Sequence, residues 1–421
     1  MVKKTTLKNG LRILTIPQKS TRTVTVLALV GTGSKYETRR INGVSHFLEH
    51  MFFKGTKKRN APLKISGPIE NVGGVLNAFT TQDLTGYFIK VDAGHVNLAL
   101  DMVADIFLNS LLPAKEIKKE KGVVIEEINM RRDTPMVHVA DLWEQFLYGD
   151  QPAGWDVAGT KETVRALSRK DIARYMKNQY VASNTVVCVA GNILEQRTIQ
   201  KVQQLFGSVP KADFTKKVQV QEFQTTPQVF LEYRKTGQTH LAFGARGYNL
   251  SHKDRFAQDI LAAILGGGMS SRLFLEIREK LGLAYYVSTS SEENPDTGYV
   301  VSVAGAKNEY VEKALKAIAR QYKRIARYKV GVQELRNAKD RMKGKMALFL
   351  EASEAKAEFY GMQEILEDMF FTPEQLYDKI EKVRTRDIQR VARDLFRPEN
   401  MNLVLLGPFR DKKRFEELLL Q

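Results

Sequence analysis

His46-Phe47-Leu48-Glu49-His50 places two imidazoles four positions apart with a carboxylate between them. On a helix, positions i and i+4 share a face, so both rings can turn a nitrogen toward one ion. Zinc favours neutral imidazole beside oxygen or sulfur donors, and a catalytic zinc keeps one position for water, whose pKa falls to about 7. Glu49 stands where it would take that water's proton and later hand it to a leaving amine. H-x-x-E-H is the inverted form of the H-E-x-x-H zinc-protease motif, so the order of the letters favours peptide hydrolysis. With 6 histidines and 48 acidic residues among 421, chance yields the pattern about 0.01 times per chain. The alternative is a pair of ordinary surface histidines. Phe47, Leu48, Met51, Phe52 and Phe53 argue against it by burying the segment, and buried histidines need partners.

Two histidines leave such a site incomplete. The one cysteine, Cys188, sits in the apolar run Thr185–Ala190 and reads as a small residue of a buried strand. The stretch from Pro113 to Arg132 predicts a helix, opening on proline and rich in Lys and Glu. At about 100° per residue, Ile117, Val124 and Ile128 form its buried stripe. Glu120 and Glu127 border the stripe, while Glu126 faces water. Helix geometry therefore offers Glu120 and Glu127 without choosing between them. Taken alone, it makes rim carboxylates paired with Lys119 or Lys121 the commoner arrangement.

The motif, the stretch Glu120-Lys-Gly-Val-Val-Ile-Glu-Glu127 ending 77 positions after His50, Gly43-Val-Ser before it, Met51-Phe-Phe-Lys-Gly-Thr56 after it, and Leu76-Asn-Ala-Phe-Thr80 further on together carry a resemblance. The chain resembles the pitrilysin or insulinase family of zinc peptidases, in the small two-domain branch that includes the processing peptidases. That resemblance implies one Zn2+ per chain held by His46, His50 and Glu127, with Glu49 as general base to a metal-bound water. It implies Glu120 as a second carboxylate steadying the site. Asn77, Ala78 and Phe79 would form an edge strand to which an extended peptide pairs; otherwise they are an interior strand after a turn at Gly73-Gly74. In the run Arg272-Leu-Phe-Leu-Glu-Ile-Arg278-Glu-Lys-Leu-Gly-Leu-Ala-Tyr285-Tyr286, the resemblance assigns Arg278 and Tyr285 to substrate binding, where a guanidinium or phenol can hold a carbonyl or oxyanion. A helix cap and a core tyrosine are the plain alternative, and the tandem Tyr285-Tyr286 leaves open which ring is meant.

These residues need a scaffold, and the chain shows a duplicated one. Asp171–Asn184 running into Thr185–Gly191 is echoed 216 positions later by Asp387–Asn400 and Met401–Gly407, and Thr85-Gly-Tyr87 by Thr297-Gly-Tyr299 at 212. A forward shift of 212 carries His46 and His50 onto Gln258 and Ala262, so the second copy lacks the motif. The expected division is a zinc-binding domain at 1–208, a polar linker at 209–228, and a zinc-free homologous domain at 229–421. Period-2 strands such as Leu11–Ile16 and Thr23–Val30, and helices such as Ala93–Ser110 and Glu309–Tyr328, come in blocks, which predicts an α+β fold. The resemblance implies two α/β rolls, each a mixed sheet flanked by helices, forming a clamshell around a cavity.

A net charge of +17 invites a nucleic-acid reading. Yet the basic residues are dispersed along helices such as Lys313–Lys329, and no nucleic-acid recognition signature appears. No run reaches the roughly 18 apolar residues of a membrane span, the start Met1-Val-Lys-Lys-Thr-Thr-Leu has no signal core, and one cysteine permits no internal disulfide. The expectation is a cytoplasmic protein without specific nucleic-acid or membrane partners, acting on peptides. The family implies a homodimer or a heterodimer with a related chain. Against a zinc endopeptidase stands a binding or scaffold subunit without catalysis, but such relatives lose ligands, and none is missing here.

Overall fold

The computed structural model describes residues 2–420. Its contacts divide the chain into two compact units, one of Met1–Asn129, Trp155–Val218 and Leu348–Phe371, the other of Met130–Gly154, Gln219–Ala347 and Thr372–Gln421.

In the first unit, β1 (Lys3–Thr6), β2 (Arg12–Pro17), β3 (Thr23–Val30), β4 (Val75–Thr80), β5 (Thr85–Asp92) and β6 (Thr185–Gly191) form one sheet in the order β1-β2-β6-β3-β5-β4. The β2–β6 pair is parallel and the other pairs are antiparallel. β3 shows why its residues read as nearly continuous apolar sequence. Val24, Val26, Ala28 and Val30 join the core under α1 (Val44–Met51), α2 (Val96–Asn109), α3 (Ala114–Asp133) and α4 (Arg169–Gln179). Leu27 and Leu29 point the other way, into a second layer with Cys188, Ala357 and Tyr360 beneath the helix Ser353–Glu367.

The second unit repeats this plan. β7 (Gln228–Tyr233), β8 (Gln238–Arg246), β9 (Ala284–Glu293), β10 (Gly298–Lys307) and β11 (Met401–Gly407) run in the order β7-β11-β8-β10-β9, with β7–β11 parallel and the rest antiparallel. Strand for strand this is β2-β6-β3-β5-β4. The two sequence echoes fall on the matching pairs β6/β11 and β5/β10, so the duplication read from spacing is present in the topology. α5 (Arg255–Gly266), α6 (Val311–Arg327) and α7 (Thr385–Leu395) cover one face, and the helix Pro135–Tyr148 packs Val139, Leu142 and Trp143 on the other against Ala242, Val301, Val404 and Leu406.

The expected α+β class with two mixed sheets is what the structure has. Residues 207–227 contain no helix or strand. Linear limits of 1–208 and 229–421 do not contain one feature: Pro135–Tyr148 belongs with the second unit's sheet and Ser353–Glu367 with the first's. Each sheet needs both faces covered, and an apolar stripe shows that a helix will be buried without showing on which sheet.

Among the described residues no helix is long and apolar enough to cross a membrane. Part of the positive charge gathers along α4, where Arg169, Lys170, Arg174 and Lys177 lie together on an exposed face.

Candidate active site

α1 is eight residues long and is held at its start by a buried carboxylate. Gly43, at φ 93°, makes the turn into the helix, and a Cβ there would meet the Ala158 carbonyl at 2.5 Å. Glu37 Oε2 accepts from Gly43 N at 2.7 Å and Asn42 Nδ2 at 3.0 Å, and its Oε1 accepts from Ser45 N at 2.8 Å. Gly43 N and Ser45 N are backbone amides that a helix start leaves unpaired. Burial pushes the Glu37 carboxyl up to about 7, against the pull of those hydrogen bonds. Val44, Phe47, Leu48 and Met51 face the core, which leaves His46, Glu49 and His50 on the opposite, partly open face.

α3 brings two carboxylates to that face, one on each side of the His50 ring. Glu120, nearly fully buried, accepts from His50 Nδ1 at 2.9 Å through Oε1, and the Lys54 ammonium lies 2.8 Å from its Oε2. Glu127 places Oε2 3.6 Å from His46 Nε2 and 3.5 Å from His50 Nε2. Donors about 2.1 Å from a zinc ion stand about 3.4 Å apart along the edges of a tetrahedron, so both separations suit one ion between these three groups. Among the described residues His46, His50 and Glu127 are the group of three potential donors that approach one another within 4.8 Å. Glu126 is exposed, as the helix phase requires. His46 Nδ1 is buried without a hydrogen-bond partner, so only His50 has the carboxylate backing that usually orients a ligand ring.

The charges agree with this division of labour. The two imidazoles beside its Oε2 hold Glu127 far below the usual carboxylate range. Burial raises Glu120, but its bonds to His50 and Lys54 outweigh that and hold it down. Burial lowers His50, yet Glu120, Glu127 and Glu49 together raise it to about 9. With its pKa near 9, metal-free His50 carries a proton at pH 7.5, whereas zinc takes neutral imidazole, so zinc binding should release at least about one proton. Calorimetry in buffers of different ionisation heat reads this directly, and zero proton release at pH 7.5 would contradict it. Glu120→Ala should weaken zinc by about 10–100-fold in a chelator competition, because it removes the acceptor that fixes the His50 ring.

Glu49 points into the same space and accepts from Thr80 Oγ1 at 2.5 Å. Thr80 ends β4, which is the sheet's edge strand, as expected for Asn77-Ala78-Phe79. Asn77 Oδ1 accepts from Ala78 N at 2.9 Å. Behind the site Tyr87 and Tyr180 share a hydrogen bond of 2.7 Å, and Phe52 stacks on Tyr87 at 4.6 Å. Sequence reasoning assigned no role to Thr80, Lys54 or Glu37. Lys54 alone left a signal, being one turn beyond His50.

The second unit has turned the corresponding positions to structural use. Gln258 is fully buried; its Oε1 accepts from Tyr248 N at 2.7 Å and its Nε2 donates to Ser291 Oγ at 2.9 Å and Glu293 Oε1 at 2.7 Å. Arg278 leaves a short π-helical stretch, Phe274–Lys280, with its guanidinium 5.0 Å from the Phe274 ring and 5.7 Å from that of Tyr285. Tyr286 pairs with Gly305 and Ala284 with Ala306, so Tyr285 is the extra residue of a β-bulge. Bulges re-aim side chains: Tyr285 is 77% exposed, while the Tyr286 hydroxyl is 2.9 Å from His240 Nδ1.

Known proteins resemble this chain in sequence and in fold. Residues 12–161 match the family model described as Insulinase (Peptidase family M16), and residues 166–342 match Peptidase M16 inactive domain. An uncharacterized zinc protease of Bacillus subtilis, YmxG, is 35% identical to this chain, over 97% of it and 98% of the relative. The chain belongs to the M16 insulinase peptidase family. A second relative, the uncharacterized zinc protease SCO5738 of Streptomyces coelicolor, is 35% identical over 98% of this chain and 91% of its own. A protease from Helicobacter pylori superposes with a TM-score of 0.92 at 25% identity, covering 97% of this chain and 99% of that one. The M16 inactive domain from Pseudomonas fluorescens, at 17% identity and a TM-score of 0.89 over 97% of this chain and 98% of that chain, shares the fold.

Proposed function

We propose that this chain is a zinc-dependent endopeptidase that hydrolyses peptides or short unfolded segments, with one zinc per chain. The observation that carries the reading is the convergence of His46 Nε2 and His50 Nε2 on one Glu127 oxygen, at 3.6 and 3.5 Å, with Glu49 beside them. His46, His50 and Glu127 would hold the zinc, which would supply a Lewis acid able to polarise a carbonyl and acidify water. Glu49 takes the proton from the attacking water and delivers it to the leaving amine. Glu120 keeps the His50 ring in the tautomer that presents Nε2. The free edge of β4 at Asn77, Ala78 and Phe79 offers main-chain groups to an extended peptide, which suits loose sequence preference. The family resemblance supports Arg278 and Tyr285 as substrate-binding residues. It also supports pairing with a second copy or a related chain. The lone, buried thiol of Cys188 suits a reducing compartment such as the cytoplasm.

Incubation of the purified protein with a mixed peptide pool, read by mass, tests the activity. Cleavage should stop on chelation and return with zinc. A zinc-loaded protein that leaves every peptide intact would favour a non-catalytic binding subunit.

A further inference from the structure

Thr80 occupies a position that zinc ligation does not require. It stands at the end of β4, opposite Thr85 of β5 in the ladder. Thr85 is itself fully buried and donates to the Thr32 carbonyl at 2.8 Å, so the backbone carrying Thr80 is fixed from behind. Its hydroxyl has one proton to give, and gives it to Glu49 Oε2 at 2.5 Å. Among the described residues Thr80 is the hydrogen-bond partner of the Glu49 side chain. Glu49 has three side-chain torsions and sits on the partly open face of α1, where a carboxylate with no partner would sample several rotamers. One donor on Oε2 selects a single rotamer and leaves Oε1 for a water.

We propose that Thr80 is a positioning residue that orients Glu49, so that the edge strand β4 and the motif helix α1 together set the general base. This rests on the zinc-peptidase reading for its effect on turnover, but the orientation itself does not. The geometry explains why the hydroxyl comes from a strand. A ladder position has little freedom along the strand, and a β-branched side chain has few χ1 rotamers, so the donor is held with almost no mobility.

Thr80→Val removes the hydroxyl at constant shape, and Thr80→Ser keeps it. Both should retain wild-type zinc content. Thr80→Val should lower kcat by about 10–100-fold, less than the roughly 10²–10⁴-fold that an acid–base group itself contributes, with KM changed less than about twofold, the pattern of a loss confined to the transition state. Thr80→Ser should recover most of the rate. Crystal structures of the metal-free variants give a readout independent of activity: Glu49 should leave its rotamer or occupy several in Thr80→Val, and keep one in Thr80→Ser. An unmoved Glu49 with wild-type kcat in Thr80→Val overturns the proposal, as does loss of zinc in that variant, which would make Thr80 structural. If the wild-type protein cleaves no peptide, the peptidase reading fails, while a Glu49 displaced only in Thr80→Val still upholds the orientation.

Discussion

Glu49→Gln should abolish peptide cleavage while leaving zinc bound. Glu49 is the carboxylate of the motif that does not converge with the donor group of His46, His50 and Glu127. Replacing it with an amide of the same shape therefore keeps the metal. The amide cannot accept the proton of the attacking water or return it to the amine. General-base catalysis carries about 10²–10⁴-fold in rate, so kcat should fall by that factor with KM little changed. Thr80 can still donate to the Gln carbonyl, so the fold should not respond. Zinc content measured beside the peptide assay separates the outcomes. A variant with full zinc and wild-type turnover would remove Glu49 from the mechanism.

Glu127→Ala should do the opposite, costing the metal first and activity as a consequence. Its Oε2 is the point on which both imidazoles converge, and its charge offsets that of the ion. Structural zinc in small sites is bound with about 10–16 kcal/mol, so losing one ligand of three should weaken affinity on the order of 10³-fold. Glu120→Ala should weaken it far less, since Glu120 touches His50 Nδ1 on the side away from Glu127. The ranking separates the two carboxylates that helix phase leaves equivalent. Equal zinc affinities in Glu127→Ala and wild type would return Glu127 to the role of a rim carboxylate.

The sequence shows the histidines because both stand on one short helix, where spacing alone places them together. Choosing Glu127 over Glu120 takes the family's spacing, since both lie at the same edge of α3's buried stripe. The structure separates them by which nitrogen of His50 each one meets. Thr80 and Glu37 are not legible. Their partners lie 31 and 8 residues away, at Glu49 and Ser45, and no period links a strand end or a loop carboxylate to a helix. The same holds for Tyr285. Its exposure follows from a bulge, and a tandem of tyrosines looks alike whether the strand is regular or not. The duplicated sheet is legible because strands β6 and β11 keep their Asn-to-Gly frame. The exchange of the helices Pro135–Tyr148 and Ser353–Glu367 is not, because amphipathicity carries no address.

Anomalous diffraction at the zinc edge, from crystals of the Glu49→Gln protein grown with zinc, locates the ion and its ligands directly. One peak per chain is expected, about 2.0–2.2 Å from His46 Nε2, His50 Nε2 and a Glu127 oxygen. A peak elsewhere, or zinc bound with Glu120 in place of Glu127, would contradict it.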